Sequence, residues 1–258
     1  MRLKELLFTS NTAYLPYIQV VATAIVIAYA YYFPQELNQW LLSIIMYVFI
    51  GCFGISIGYH RYLTHKSFKL NKFWEYWCTA WGMLAFTGSS IGWVGMHRDH
   101  HRYSDKPQDP HSPHHARHFA LIAAYNYTPN KWAVRRLINN RFHTFTHEYY
   151  FGLIMAWTLI WFAIGGISTM MHVVIIPAVI SVWVSTSSNY MNHKWGYINF
   201  PTTDKSRNLW INALFTFGEG WHNNHHARPG NYDFGSGTSG KWWEFDMGAR
   251  VIELIRTK

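Results

Sequence analysis

Charge is what this chain has least of. Only 14% of its 258 residues are Asp, Glu, Lys or Arg, where soluble domains carry about a quarter. Half the residues are apolar and 19% are aromatic, so a membrane protein is expected. Cysteine is scarce as well. Cys52 and Cys78 both sit in apolar stretches, which gives no sign of a disulfide framework. The apolar run behind Arg2 and Lys4 lacks a small-residue cleavage pattern, so no removable leader is expected. Internal repeats and low-complexity tracts are missing too. Acidic residues number 13 against 22 basic ones, a net charge of +9. That balance suits anionic lipid, nucleic acid or an acidic protein.

What is present is a set of long uncharged runs. At about 20 residues per crossing, they predict spans over about 12–34, 41–59, 149–165 and 171–191. Phe73–Met96 is also long enough, but it is rich in Gly, Ser and Thr and carries Glu75. If it crossed, the histidines on either side of it would be separated by the bilayer. It is therefore expected to lie in the interface. Lys and Arg are absent between Phe33 and Leu41 and between Tyr149 and Met191. Both expected outer turns, Phe33–Gln39 and Gly165–Ser168, thus obey the positive-inside rule. The expected fold is a single all-α membrane domain over 1–258. It has four transmembrane helices, both termini cytoplasmic, and a cytoplasmic helical cap formed by 97–148 and 194–258. Positive charge placed between spans excludes a nucleic-acid role.

Three histidine clusters dominate: His60-Arg-Tyr-Leu-Thr-His65, His97-Arg-Asp-His100-His101 and His222-Asn-Asn-His225-His226. A weaker signal is Asn189-Tyr-Met-Asn-His193. Positions i, i+3 and i+4 share a helix face, so each HxxHH points one way. His60 and His65, five apart, diverge on a regular helix; they ligate different metals, or the helix ends between them. One zinc needs about four ligands, so nine imidazoles imply two metals. Imidazole suits zinc, copper, iron and nickel. Soluble di-iron bundles use Glu ligands, whereas Asp99 is the only carboxylate inside these clusters. A histidine-rich di-iron centre at the membrane face fits best, with a lipid-like substrate.

The clusters, together with Gly218-Glu-Gly-Trp221 before the third, resemble the three histidine boxes of membrane fatty acid desaturases. The likeness is closest to the Δ9, stearoyl-CoA-desaturase-like branch, and the short ends resemble its compact bacterial or cyanobacterial type. His101-Arg-Tyr-Ser-Asp105, Asp109-Pro110-His111 and Asn189-x-x-x-His193-x-x-Gly196 carry it further, and it covers roughly Gly51 to Asp246. It implies two Fe ions held by His60, His65, His97, His100, His101, His193, His222, His225 and His226, with Asn189 acting through water. No catalytic residue beyond these is expected. It implies O2-dependent insertion of a cis double bond, Δ9 in position, into a saturated C16–C18 chain of an acyl-CoA or acyl-lipid. With no cytochrome b5-like domain after the last box, two electrons are expected from a separate donor such as ferredoxin or cytochrome b5.

Ligating imidazoles usually give their other N–H to a carboxylate or carbonyl. Asp105, Asp109 and Glu219 are the first candidates, ahead of Asp99 and Asp233. At α-helical spacing Ser56, Cys52 and Val48 lie on the face of His60, and they are expected to line the substrate tunnel and set the chain length. His111, His114 and His115 also read HxxHH, but Pro113 breaks the helix, so a surface loop is expected. His143 and His147 are expected at the interface, and His172 at the outer turn. A histidine-box hydroxylase or ketolase shares the oxidant and is the nearest alternative. A histidine-rich metal transporter is the alternative from another class, although its ligands belong near the bilayer midplane.

Overall fold

The computed structural model describes residues 14–115 and 130–257; residues 12–13 of the first expected span and 116–129 of the expected cap lie outside the described residues. The described chain is helical. It has no strand ladder, only the bridges Tyr197–Asn208 and Asn208–Trp221.

Among the described residues three stretches are long and apolar enough to cross a membrane: Leu15–Tyr32 (α1), Leu37–Thr64 (α2) and Tyr150–Asn192. Helix α2 begins four residues earlier than expected because Glu36 and Gln39 form a reciprocal cap at its N-terminus. It also runs past residue 59 to carry His60 within the helix. Its second half, Phe49–Thr64, is wound as a π-helix, in which residues five apart, not four, are hydrogen bonded.

Glycine opens the way for the next element. Helix α3 (Lys72–Met83) crosses α2 with backbone nearly touching backbone: a Cβ on Gly54 would lie 2.4 Å from the Gly82 nitrogen. The interfacial helix expected over 73–96 is in fact two helices. After α3 the chain turns through Phe86 (φ 57°) and Gly88 (φ 101°). It re-enters helix as α4 (Ser90–Tyr103), where Ser89 caps the Gly92 N–H. The small residues that suggested an interfacial segment are thus a left-handed turn and an N-cap.

Two short helices, α5 (Arg135–Ile138) and α6 (Arg141–Glu148), lead into α7 (Tyr150–Met170). Gly165 and Gly166 leave the helical region; Gly166 has φ 65° and ψ −159°. The chain folds back there through a π turn, Met171–Ile175, into α8 (Ile176–Asn192). Trp157 and Trp161 accordingly join the cluster of Met46, Val173 and Val174, and Ile154 joins that of Ala178 and Val179. The remainder forms α9 (Trp210–Phe215), α10 (His222–Ala227), α11 (Ser236–Ser239) and α12 (Met247–Ile255). Asn208 and Asn224 stitch this part together: the Asn208 amide donates to Asn224 at 2.8 Å, and its carbonyl accepts from Asn223 N–H.

Candidate metal centre

The π winding answers where His60 and His65 point. The His65 N–H donates to the His60 carbonyl at 3.2 Å, so five residues make one turn and both rings face the same way. His60, His65, His97, His101 and His225 bring their donor nitrogens within 4.8 Å of one another. His100, His193, His222 and His226 form a second group by the same measure. Helix α4 serves both: His97 and His101, four apart, face the first group, and His100 faces the second. Helix α10 does the converse, with His225 in the first group and His222 and His226 in the second. His193 stands at the C-terminal end of α8.

Carboxylates hold the outward nitrogens. His60 Nδ1 pairs with Glu219. His100 Nδ1 lies 3.0 Å from Asp109, His193 Nδ1 2.8 Å from Asp105, and His226 Nδ1 2.7 Å from Asp204. Each such bond places the proton on Nδ1 and leaves the Nε2 lone pair facing inward. Burial, reinforced by neighbouring imidazoles, pushes His97, His100, His101, His222 and His225 well below the ordinary histidine range, so they are neutral. Burial lifts Asp109 to about 6. For Asp105 burial is outweighed by the His193 bond, which holds it at about 2.

The inward nitrogens converge more closely than hydrogen bonding can satisfy. His225 Nε2 lies 3.0 Å from that of His60 and 2.9 Å from that of His101. His222 Nε2 lies 3.1 Å from those of both His193 and His226. One Nε2 proton cannot serve two acceptors. His65 Nε2 and His100 Nε2 are buried with no hydrogen-bond partner among the described residues. Nitrogens at right angles on a metal with bonds of about 2.1 Å stand about 3.0 Å apart, so a cation in each group fits the donor set.

A cavity adjoins the histidines. Tyr47, Gly51, Ile55 and Ser56 of α2 form one side, and Ser185 and Asn189 of α8 another. The expected tunnel face is corrected accordingly. The π register rotates the helix, so Ser56 faces the cavity while Cys52 packs among Ile57, Cys78, Phe217 and Ile252. Val48 is exposed on the outside of α2. Gly51 marks the narrow point: a Cβ there would come 2.9 Å from the Phe217 ring and 3.1 Å from that of Tyr47.

Other expectations change as well. His111 is not on a surface loop but buried against the cavity, its ring 4.3 Å from that of His100. Asp109 explains this, because it accepts the His111 N–H while bonding His100 and so folds the Asp109-Pro110-His111 turn inward. Asn189 donates to the His111 carbonyl at 2.8 Å. His114 reaches the His193 carbonyl at 3.0 Å. His143 is fully buried between Ser90 and Glu75. His172 lies away from both groups, bonded to Ser43 and Gln35. Asp99 is half-buried on α4, and Asp233 pairs with Arg250 instead.

Two residues escaped sequence reasoning. Asp204 sits in a loop with no spacing relation to His226. Arg61 is fully buried at the end of α2, where it bonds Glu219 at 3.1 Å and Asp246 at 2.9 Å and donates to the Phe217 and Tyr232 carbonyls.

Buried and half-buried imidazoles in two converging sets, at the end of long apolar helices and beside a cavity, mark a membrane protein with a candidate polyhistidine metal site. The family model for fatty acid desaturases matches residues 38–244. The chain belongs to that family and is an oxidoreductase. It is 34% identical to an sn-1 stearoyl-lipid 9-desaturase of Synechocystis sp. over 83% of this chain and 68% of the relative. It is 33% identical to an sn-2 palmitoyl-lipid 9-desaturase of Nostoc sp. over 96% of this chain and 89% of the relative. A Delta-9 acyl-lipid desaturase 2 of Arabidopsis thaliana is 33% identical over 80% of this chain and 68% of the relative.

Proposed function

We propose that this protein inserts a cis Δ9 double bond into palmitoyl- or stearoyl-length chains carried on a membrane lipid. The observation that carries this is the pair of converging imidazole sets beside an apolar cavity, in a chain whose relatives bear acyl-lipid 9-desaturase names. One iron belongs with His60, His65, His97, His101 and His225. The other belongs with His100, His193, His222 and His226, with Asn189 acting through a water. When bound, the iron pair supplies O2 activation and the removal of hydrogen from unactivated methylenes. The balance is one O2, two electrons, two protons and a –CH2–CH2– unit, giving –CH=CH– and two waters.

The chain's own residues do the rest. Glu219, Asp105, Asp109 and Asp204 fix the tautomers and aim the rings. Tyr47, Gly51, Ile55 and Phe217 offer an apolar lining that aligns the acyl chain and keeps water out. Gly51 lies nine residues before His60, at most about 13 Å along the axis. Nine carbons beyond the oxidised bond extend a little over ~11 Å, so the methyl end falls near Gly51. Electrons come from a separate protein.

Four crossings fit best, since the fold-back at Gly165–Gly166 divides the third apolar stretch in two. The termini and both histidine sets are then cytoplasmic, in keeping with the distribution of Lys and Arg. The test is expression in a host that lacks Δ9 unsaturation, with double-bond location in each lipid class and iron measured in the purified protein. Δ9 monoenes on glycerolipid, with about two irons per chain, are expected. Hydroxylated chains would favour the hydroxylase reading, and product only from supplied acyl-CoA would overturn the lipid carrier.

A further inference from the structure

Helix α9 has no obvious reason to be apolar if it sits in a water-exposed cap. Trp210, Leu214 and Phe215 are 61%, 55% and 57% exposed. No charged residue occurs from Asn208 to Gly218. The same surface continues through buried Trp221, which packs with Ala213, to Phe245 and Trp243: Trp221 donates to the Phe245 carbonyl and its ring meets that of Trp243. At its margin stand basic residues with aromatic partners, such as Lys241 over Trp243 at 5.6 Å, and Arg207 immediately precedes the segment. Tryptophan beside Lys or Arg is the composition of a membrane–water boundary.

The height of α9 along α2 identifies what covers it. Tyr47 donates its hydroxyl to the Phe215 carbonyl. Tyr47 is ten residues from Leu37, so it lies about 15 Å along the helix axis from the outer end. Phe217 packs against Gly51, about 21 Å from that end. The hydrocarbon layer is about 30 Å thick. If α2 enters it near Leu37, both contacts lie inside it, and the reach of one tyrosine side chain does not bring Phe215 out.

We propose that α9, with Trp243 and Phe245 at its border, is immersed in the cytoplasmic leaflet, where lipid acyl chains cover it and it separates the cavity wall at Thr216 and Phe217 from the bilayer. This rests on the four-span reading above. Internal backbone bonds lower the cost of placing such a segment in lipid: Ala213 N–H bonds Leu209 O, and Thr216 N–H bonds Asn212 O.

The test attaches a polarity-sensitive fluorophore through Leu214→Cys in the full chain, the native cysteines being buried. Ile44→Cys on the exposed face of α2 serves as the lipid control and Lys106→Cys as the aqueous control. Each protein is reconstituted into phosphatidylcholine–phosphatidylglycerol vesicles, with doxyl-labelled acyl chains or with iodide. The Leu214 probe should be quenched at least about twofold more by doxyl lipid than the Lys106 probe and be shielded from iodide. Iodide quenching at Leu214 with lipid quenching at Ile44 overturns the immersion of α9 alone. Shielding from both quenchers means a second protein copy covers the patch, and overturns it too. Iodide quenching at Ile44 overturns the four-span reading and this inference with it.

Discussion

The two histidine groups are built by different means. The five-histidine group rests on backbone geometry: the π turn pairs His60 with His65, and one turn of α4 pairs His97 with His101. Among the described residues only His60 of that group has a carboxylate on its far nitrogen, and that carboxylate, Glu219, is shared with Arg61. The four-histidine group draws on α4, the end of α8 and α10, and three of its members are held by carboxylates from loops. Where a helix register supplies the aim, few hydrogen bonds are needed. Where loops supply it, each ring needs its own anchor.

The largest effects come from removing ligands. His225→Ala or His193→Ala should reduce desaturation to background and lower iron from about two to about one per chain, read by metal analysis of purified protein. Loss of a single iron in each would show that the groups load independently; loss of both from either variant would merge them into one unit.

Next come the anchors. Asp105→Asn, Asp109→Asn and Asp204→Asn should each weaken metal retention about 10- to 100-fold. Glu219→Gln should weaken it less, because the π-helix still aims His60. Chelator competition on the four variants ranks them, and an equal loss for Glu219→Gln would erase the contrast drawn above.

A smaller effect concerns product length. Gly51→Val should shift products toward shorter chains without moving the double bond relative to the carboxyl. Cys52→Phe should lower stability through overpacking and leave the profile alone. Fatty-acid profiling of both, beside their melting temperatures, decides between these two faces of α2.

The smallest effect lies away from the metals. Glu75 is held at about 2 against an ordinary 4.5: burial works against this, but bonds from His143, Tyr62 and Lys72 prevail. A depressed carboxylate stabilises the fold above its unfolded value and loses that contribution as pH falls toward 2. Glu75→Gln should therefore cost about 1–3 kcal/mol near neutrality and flatten the acid limb of thermal stability. His143→Ala should lower the melting temperature while iron is retained.

Much of this was legible in the residues. Histidine spacing, uncharged runs and the scarcity of Lys and Arg near Pro34 and Gly165 led to the long helices, the fold-back and the nine rings, but not to their grouping: each HxxHH was expected to point one way, and each is split between the two groups. Winding could not be read, because α- and π-helices differ in hydrogen-bond register, which composition does not reveal. Here Gly54 packs on the Gly82 backbone, a contact between positions 28 residues apart that no local period reveals. The same cause displaced Cys52 and Val48 from the cavity. Asp204 was invisible because loop proximity leaves no period in a sequence. His111 was misjudged because Pro113 does break a helix, yet a turn closed by Asp109 turns the ring inward just as well.

The shared use of α10 sets an order of events for the newly made chain. His225 is needed to complete one group, and His222 and His226 the other. Arg61 cannot be enclosed until Glu219 and Asp246 arrive. Both groups are therefore incomplete without the segment that carries α10, which also encloses Arg61 at the end of α2. Four rings of the first group, His60, His65, His97 and His101, lie before α10 in the chain and only two of the second, His100 and His193, do, so a chain cut before His222 should hold a cation at the first group far better than at the second, as metal titration of that truncated protein would read.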